Sequence, residues 1–148
     1  MSEIGITNST CLIALERIER LDLLSSSFNQ ILIPPQVQDE FGIALNWLHI
    51  QEVRDKNLLL ALRVGLDEGE AAAIALAMEY PEAILILDDL KARTIAQQMG
   101  LKIMGTIGLI LRCKRTGIIS EVQPVLNQLQ SVGFYITDSL FQKALILA

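Results

Sequence analysis

The sequence predicts an α/β domain built on a mostly parallel sheet. Short apolar runs alternate with longer helical patterns along the chain, which is the arrangement of strands joined by helical crossovers. The strand candidates Ile31–Ile33 and Ala83–Leu87 are continuously apolar, as strands covered on both faces are. No Gly/Ser-rich linker, repeat or low-complexity tract interrupts the 148 residues, so residues 1–148 are expected to form a single domain with a full core.

The elements follow in order. Ile4-Gly5-Ile6-Thr7 is a short strand. Asn8-Ser9-Thr10 supplies capping residues for a helix over Cys11–Leu24, with apolar positions at Leu12, Ile13, Leu15, Ile18, Leu21 and Leu24. Ser25-Ser26-Ser27 is a loop, and Ile31–Ile33 a second buried strand. Pro34-Pro35 ends that strand, and Pro35 suits the first turn of a helix running through Val37, Phe41 and Leu45. Trp47–Val53 reads as a weaker third strand, and Leu58–Val64 as a short helix stopped by Gly65.

Asp67-Glu68-Gly69-Glu70 precedes an alanine-rich helix over Ala71–Met78. Ala83–Leu87 is the central strand, followed by a helix over Leu90–Met99 that Gly100 ends. Leu101–Met104 is another strand. Thr106 is expected to cap a helix over Ile107–Arg115, with Gly117 beyond its end. Ser120–Ser131 reads as helix and Phe134-Tyr135-Ile136 as a short strand. Asp138 is expected to cap a last helix to Leu147.

Composition narrows the function classes. Hydrophobic residues make up 51% and charged residues 20%, and the mean hydropathy is +0.42. The longest uncharged apolar stretch, Ile103–Leu111, is far shorter than the ~18–20 residues of a membrane span. Glu3 and the lack of a basic region before the first apolar run argue against a signal peptide. A cytoplasmic protein with a buried sheet and a subunit interface, such as a homodimer, accounts for the greasy composition. Cys11 and Cys113 lack metal or redox spacing and read as buried reduced thiols. The one histidine, His49, has no nucleophile motif around it and reads as a half-buried structural residue.

Acid–base and metal chemistry must therefore come mainly from Asp and Glu. The net charge is −5, which disfavours a DNA-coating module. Lys91, Arg93, Lys102, Arg112, Lys114 and Arg115 crowd the later half, where either a local positive surface or ordinary solvated helix faces would result.

The stretch "ILILDDLKA" (Ile84–Ala92) raises the sharpest question. Asp88 or Asp89 is a good N-cap for the following helix, and Asp67 with Glu70 fits a capping box. One cap suffices to start a helix, however, and a second carboxylate beside it adds repulsion unless a cation or donor offsets it. Ligands of open α/β sheets bind beyond the carboxyl ends of the strands. Asn8, Pro34-Pro35, Asp88-Asp89 and Gly105-Thr106 all fall there, so the polar residues are expected on one rim. Carboxylates gathered on that rim suit a hard cation such as Mg²⁺ or Mn²⁺.

The segments "ITNSTCLIALERIERLDLL", "ILIPPQVQDEF", "LDEGEAAAIALA", "AILILDDLKARTIAQQMGLKIMGTIGLIL" and "GFYITDSL" together resemble PIN-domain proteins, and among them the VapC-like branch with its GEAxAIxLA and DDxKAR motifs. The resemblance runs from about Ile4 to the C-terminus. It implies a three-layer α/β/α fold around a parallel sheet, an acidic Mg²⁺ or Mn²⁺ site, endoribonuclease activity on RNA, a dimer, and a small antitoxin protein as partner. The family's first acidic position falls on Asn8, the second on Glu40, the third on Glu70 and the last on Asp89, with Asp88 beside it. Thr10 matches the small hydroxyl residue that accompanies the first acid. Cys11 stands where close relatives often have proline.

On this resemblance Asn8, Glu70, Asp89 and Asp88 are candidate metal residues. Glu40 binds the same metal or a second one, and Glu40, Glu70 and Asp89 form the catalytic set. Lys91 and Arg93 are candidates for the RNA backbone. Asn8 keeps an oxygen ligand but lacks the charge, which opens the alternative of a catalytically degenerate PIN-like or RNA-binding module. A phospho-receiver domain also carries an Asp pair after a strand, but there the pair follows the first strand. No G-x-G-x-x-G or G-x-x-x-x-G-K-S/T is present, which argues against nucleotide-binding readings.

Overall fold

The computed structural model describes residues 3–148. Among them lie five strands, β1 (Ile4–Thr7), β2 (Gln30–Ile33), β3 (Leu48–Ile50), β4 (Ile84–Ile86) and β5 (Lys102–Met104). All pair in parallel, in the order β3-β2-β1-β4-β5. The helices are α1 (Ser9–Arg17), α2 (Asp22–Ser25), α3 (Pro35–Phe41), α4 (Lys56–Leu62), α5 (Glu68–Met78), α6 (Leu90–Gln98), α7 (Thr106–Arg115), α8 (Gln123–Ser131) and α9 (Asp138–Leu147).

The strand pleat divides the core between the two faces of the sheet. Ile31, Ile33 and Ile86 pack into one apolar cluster with buried residues of α1, α2, α3, α7, α8 and α9. Ile6, Leu32, Leu85 and Leu87 point the other way, into a cluster with α4, α5 and α6. Successive strand residues face opposite sides, so parallel strands covered on both faces must be apolar at every position. The result is the three-layer α/β/α sandwich that the resemblance implied. Helix α5 is buried on nearly all sides, with Ala71 through Ala77 essentially inaccessible. That helix and the sheet absorb much of the chain's hydrophobicity.

Several local expectations change. The helix expected over Cys11–Leu24 stops at Arg17, and Glu19 adopts a left-handed conformation with φ 57°. Glu19 N–H donates to Glu16 O at 3.0 Å and Arg20 N–H to Leu15 O at 2.9 Å, a Schellman-type end without glycine. Helix α3 ends at Phe41, before Leu45, because Gly42 turns left-handed at φ 76°. Phe134–Ile136 is not a strand. Gly133 ends α8, Phe134 N–H returns to Leu129 O at 3.0 Å, and Phe134 and Ile136 pack on the helical side of the first cluster. Thr137, not Asp138, caps α9, its hydroxyl accepting the Leu140 N–H at 3.1 Å. His49 is exposed on β3 instead of half-buried. No helix among the described residues is long and apolar enough to cross a membrane.

Candidate functional site

The chain runs outward from β1 in opposite directions across the sheet, to β2 and β3 on one side and to β4 and β5 on the other. The carboxyl ends of β1 and β4 therefore flank the switch point at which open α/β sheets form their ligand crevice. Thr7 is in register with Ile86, and the Asn8 N–H reaches Ile86 O at 3.4 Å. Asn8 thus leaves β1 at the level where β4 delivers Leu87, Asp88 and Asp89.

Asn8 is 3% exposed, and its Oδ1 is buried with no hydrogen-bond partner among the described residues. It stands at the N-cap position of α1, yet its side chain makes no capping bond. A buried carbonyl oxygen without a donor is costly. No donor among the described residues engages the lone pairs of this oxygen.

The two aspartates have separate jobs. Asp89 caps α6, its Oδ2 accepting the Ala92 N–H at 2.9 Å. Asp88 is half-buried and bound at both oxygens by one residue: Oδ1 accepts the Thr106 N–H at 2.8 Å and Oδ2 the Thr106 hydroxyl at 2.6 Å. Thr106 is therefore the first residue of α7, not its cap, because its hydroxyl donates to Asp88 across the sheet end. Beneath them Cys11 is fully buried, and its thiol is pushed up to about 12 by burial and then by the Asp88 charge. It is not a nucleophile.

Glu70 lies in the first turn of α5, whose N-cap is Asp67; Asp67 Oδ1 accepts the Glu70 N–H at 2.8 Å. Burial raises Glu70 to about 7, helped by the charges of Asp67 and Asp89. Of the two charges that oppose ionisation of Glu70, that of Asp67 is the larger and that of Asp89 the smaller. Glu40, near the end of α3, is also raised, by burial first and then by Asp67 and Glu68, with Ser9 opposing through a hydrogen bond. The Glu40 carboxylate rests over Gly69, where a Cβ would overlap its Oε1. Beside it, Gln36, Asp39, Glu40, Glu68 and Gly69 line a cavity of ≈ 260 Å³. Gln36 Oε1 is a second buried oxygen without a partner among the described residues.

Glu40 and Glu70 thus both feel the Asp67 charge, and Glu70 also that of Asp89; Glu40 and Asp89 are exposed and Glu70 is half-buried. Thr10 is not among them. It is exposed and lines a small pocket with Ile13, Arg17 and Phe134, while its neighbour Ser9 faces Glu40. Lys91 and Arg93 diverge. Lys91 Nζ lies about where a Cβ on Gly65 would touch it, at 3.5 Å, whereas Arg93 Nη1 donates to Leu87 O at 2.9 Å. Of the cations later in the chain, Lys102 pairs with Glu82, Arg112 with Glu3, and Lys114 with the Ala148 carbonyl.

Among the described residues no three His, Cys, Asp or Glu side chains group closely enough to hold a metal ion by themselves. The donors near the switch point are nonetheless all oxygens, and one of them, Asn8 Oδ1, lacks a partner; this chemistry fits a hard cation with waters completing its shell. Next to Asp88 opens an apolar groove of ≈ 500 Å³ between α7 and α9. Leu140, Ala144 and Leu147 form one wall, Ile107 and Leu111 the other, and Arg93 and Lys143 supply its positive charge.

Sequence reasoning missed Gln36, gave Ser9 and Asp67 only as capping residues, and placed Thr106 on the rim as a cap instead of as the partner of Asp88. Asp67 was visible as a cap, but its charge on Glu40 and Glu70 depends on α3 and α5 packing together. Comparison with known proteins finds a family model described as a PIN domain (DUF3368) matching residues 4–148. No curated protein matches.

Proposed function

The chain belongs to the PIN-domain family, a nuclease fold, and from that premise we propose that it is a metal-dependent endoribonuclease, the toxin-like member of a VapC-like toxin–antitoxin pair. The observation that carries this reading is the buried, unpartnered Asn8 Oδ1 at the switch point, beside the strand end that presents Asp89. Glu70, whose ionisation the Asp89 charge opposes, would complete the donor set.

In this reading Asn8, Glu70 and Asp89 hold Mg²⁺ or Mn²⁺. When bound, the cation makes a water more acidic and offsets charge developing on the scissile phosphate. The chain's own residues do the rest. Asp89 is held by its cap, so it presents a fixed oxygen. Glu70 releases its proton as the site fills. Glu40, lying over Gly69 with a raised pKa, orients the attacking water and takes its proton. Lys91, exposed beside Gly65, and Arg93, beside Gly105, would contact RNA phosphates.

The apolar groove supports the proposed antitoxin. A partner's amphipathic helix would lie between α7 and α9, with acidic flanking residues toward Arg93 and Lys143 and a basic side chain reaching the acidic cluster. The exposed Leu90, Tyr135, Ile146 and Leu147 would add apolar contact to such a partner or to a second copy in a homodimer.

One observation favours a second reading. The described residues form no metal-holding trio of charged or thiolate ligands, as a PIN-like module that retains RNA or partner binding without catalysis would show. Calorimetry of Mn²⁺ binding, wild type against Asp89→Asn, tests the first reading. Saturable binding lost in the variant, with EDTA-sensitive cleavage of a single-stranded RNA, supports it. No binding at millimolar Mn²⁺ rejects it in favour of the module.

A further inference from the structure

We propose that Thr106 is a positioning residue of this site, and that Asp88 serves Thr106 rather than the cation. The inference rests on the metal-site reading above and divides labour within the acidic pair. Both Asp88 oxygens are committed to one residue, at 2.8 Å to the Thr106 amide and 2.6 Å to its hydroxyl. Thr106 is fully buried, so its hydroxyl is sheltered from water. It opens the ten-residue helix α7, and the Asp88 charge therefore also sits at the favourable positive end of that helix.

The surroundings are arranged for this contact. Gly105 leaves open the place where a Cβ would stand 3.0 Å from Asp88 Oδ1 and 2.9 Å from Arg93 Nη1. Arg93 Nη1 in turn holds the Leu87 carbonyl at 2.9 Å, and the Leu87 N–H donates to Met104 O at 2.9 Å. The backbone that ends β4 is thereby fastened to β5, α6 and α7 immediately before Asp89. Asp89, the next residue, is exposed, and its cap uses only Oδ2. One carboxylate locks the frame and its neighbour faces the ligand.

The test compares Asp88→Asn, Asp89→Asn, Thr106→Val and Thr106→Ser, by Mn²⁺ calorimetry and by thermal melts of the metal-free protein. Asp89→Asn is expected to abolish saturable Mn²⁺ binding. Asp88→Asn and Thr106→Val are expected to weaken it by a similar, smaller factor of roughly three to tenfold at unchanged stoichiometry, with non-additive effects when combined. Thr106→Ser, which keeps the hydroxyl, restores wild-type affinity. Binding lost in Asp88→Asn as fully as in Asp89→Asn, but intact in Thr106→Val, makes Asp88 a ligand and overturns the inference. Wild-type binding by Asp89→Asn instead overturns the underlying metal-site reading. The melts need no metal: if Asp88→Asn and Thr106→Val destabilise additively, the coupling does not exist and the inference falls.

Discussion

Asp67 accepts the backbone N–H of Glu70 at 2.8 Å, and the same carboxylate opposes the ionisation of Glu70's side chain. Cap and charge are separable by substitution. Asp67→Asn keeps an N-cap oxygen and removes the charge, so the Glu70 pKa should fall below about 7 while the melting temperature stays close to wild type. It should remain above the ordinary carboxylate range, because burial is the largest cause. Asp67→Ala also loses the cap and should cost about 1 kcal/mol. Carbon-detected NMR titration of Glu70 and thermal melts check both; a Glu70 pKa unmoved in Asp67→Asn would remove Asp67 from the site's electrostatics.

The pH dependence follows from the same group. Glu70 titrates at about 7 in the folded chain against an ordinary value of 4.5. Between those values the native state holds more protons than the unfolded state, so metal-free stability falls as pH rises from 4.5 to 7 and is flat above. Glu70 is partly solvated, so the loss should be about 1 kcal/mol after allowing for screening. Glu70→Gln should flatten this slope and be the more stable protein at pH 8. Mn²⁺ competes with the same proton, so wild-type affinity should rise about tenfold per pH unit below 7 and level off above it. Calorimetry from pH 5.5 to 8.5 reads that profile, and a pH-independent affinity would exclude Glu70 as a ligand.

Strands β2 and β4 were readable because contiguous runs of Ile and Leu are readily buried in a doubly covered parallel sheet. Gly100 and Gly117 announced helix ends through their left-handed conformations, φ 82° and 83°. The break at Glu19 was not readable, since it depends on Schellman bonds to Leu15 and Glu16 that offset a non-glycine left-handed residue. Phe134–Ile136 misled because apolarity records burial, not strand pairing. The site residues at positions 8, 40, 70 and 89 came from the family pattern. The split between Asp88 and Asp89 was hidden because it rests on Thr106, which only the β4–β5 pairing brings into contact.

Gly69 offers a test of Glu40. In a helix, Gly→Ala ordinarily stabilises by up to ~1 kcal/mol. Here the new Cβ would overlap Glu40 Oε1, the far end of a flexible side chain that can swing away. Gly69→Ala should therefore melt no lower than wild type while displacing the Glu40 carboxylate. Mn²⁺ affinity should stay within about threefold, and RNA cleavage should fall at least about tenfold, toward the ~100-fold loss expected of Glu40→Gln as a missing base. Unchanged cleavage would dismiss Glu40 from the chemistry.

Asn8→Asp bears most directly on whether the site turns over. Asn8 is almost wholly buried and its Oδ1 lacks a partner among the described residues, so Asp adds a charge where no protein donor waits for it. Without metal the variant should lose about 1–3 kcal/mol of stability at neutral pH, or bind a proton there. A cation beside that oxygen reverses the penalty. At a Mn²⁺ concentration a hundred times the dissociation constant, binding returns about 2.7 kcal/mol. Metal should therefore raise the melting temperature of Asn8→Asp more than that of wild type, with tighter Mn²⁺ binding. If wild type already cleaves RNA and the variant changes the rate only a few-fold, Asn8 is a sufficient neutral ligand and the protein is an active nuclease. If cleavage emerges only in Asn8→Asp, the fold and remaining acids are competent and the asparagine alone holds this chain in a binding role. If neither protein binds Mn²⁺, the buried oxygen answers to some other ligand, and the metal mechanism fails with it.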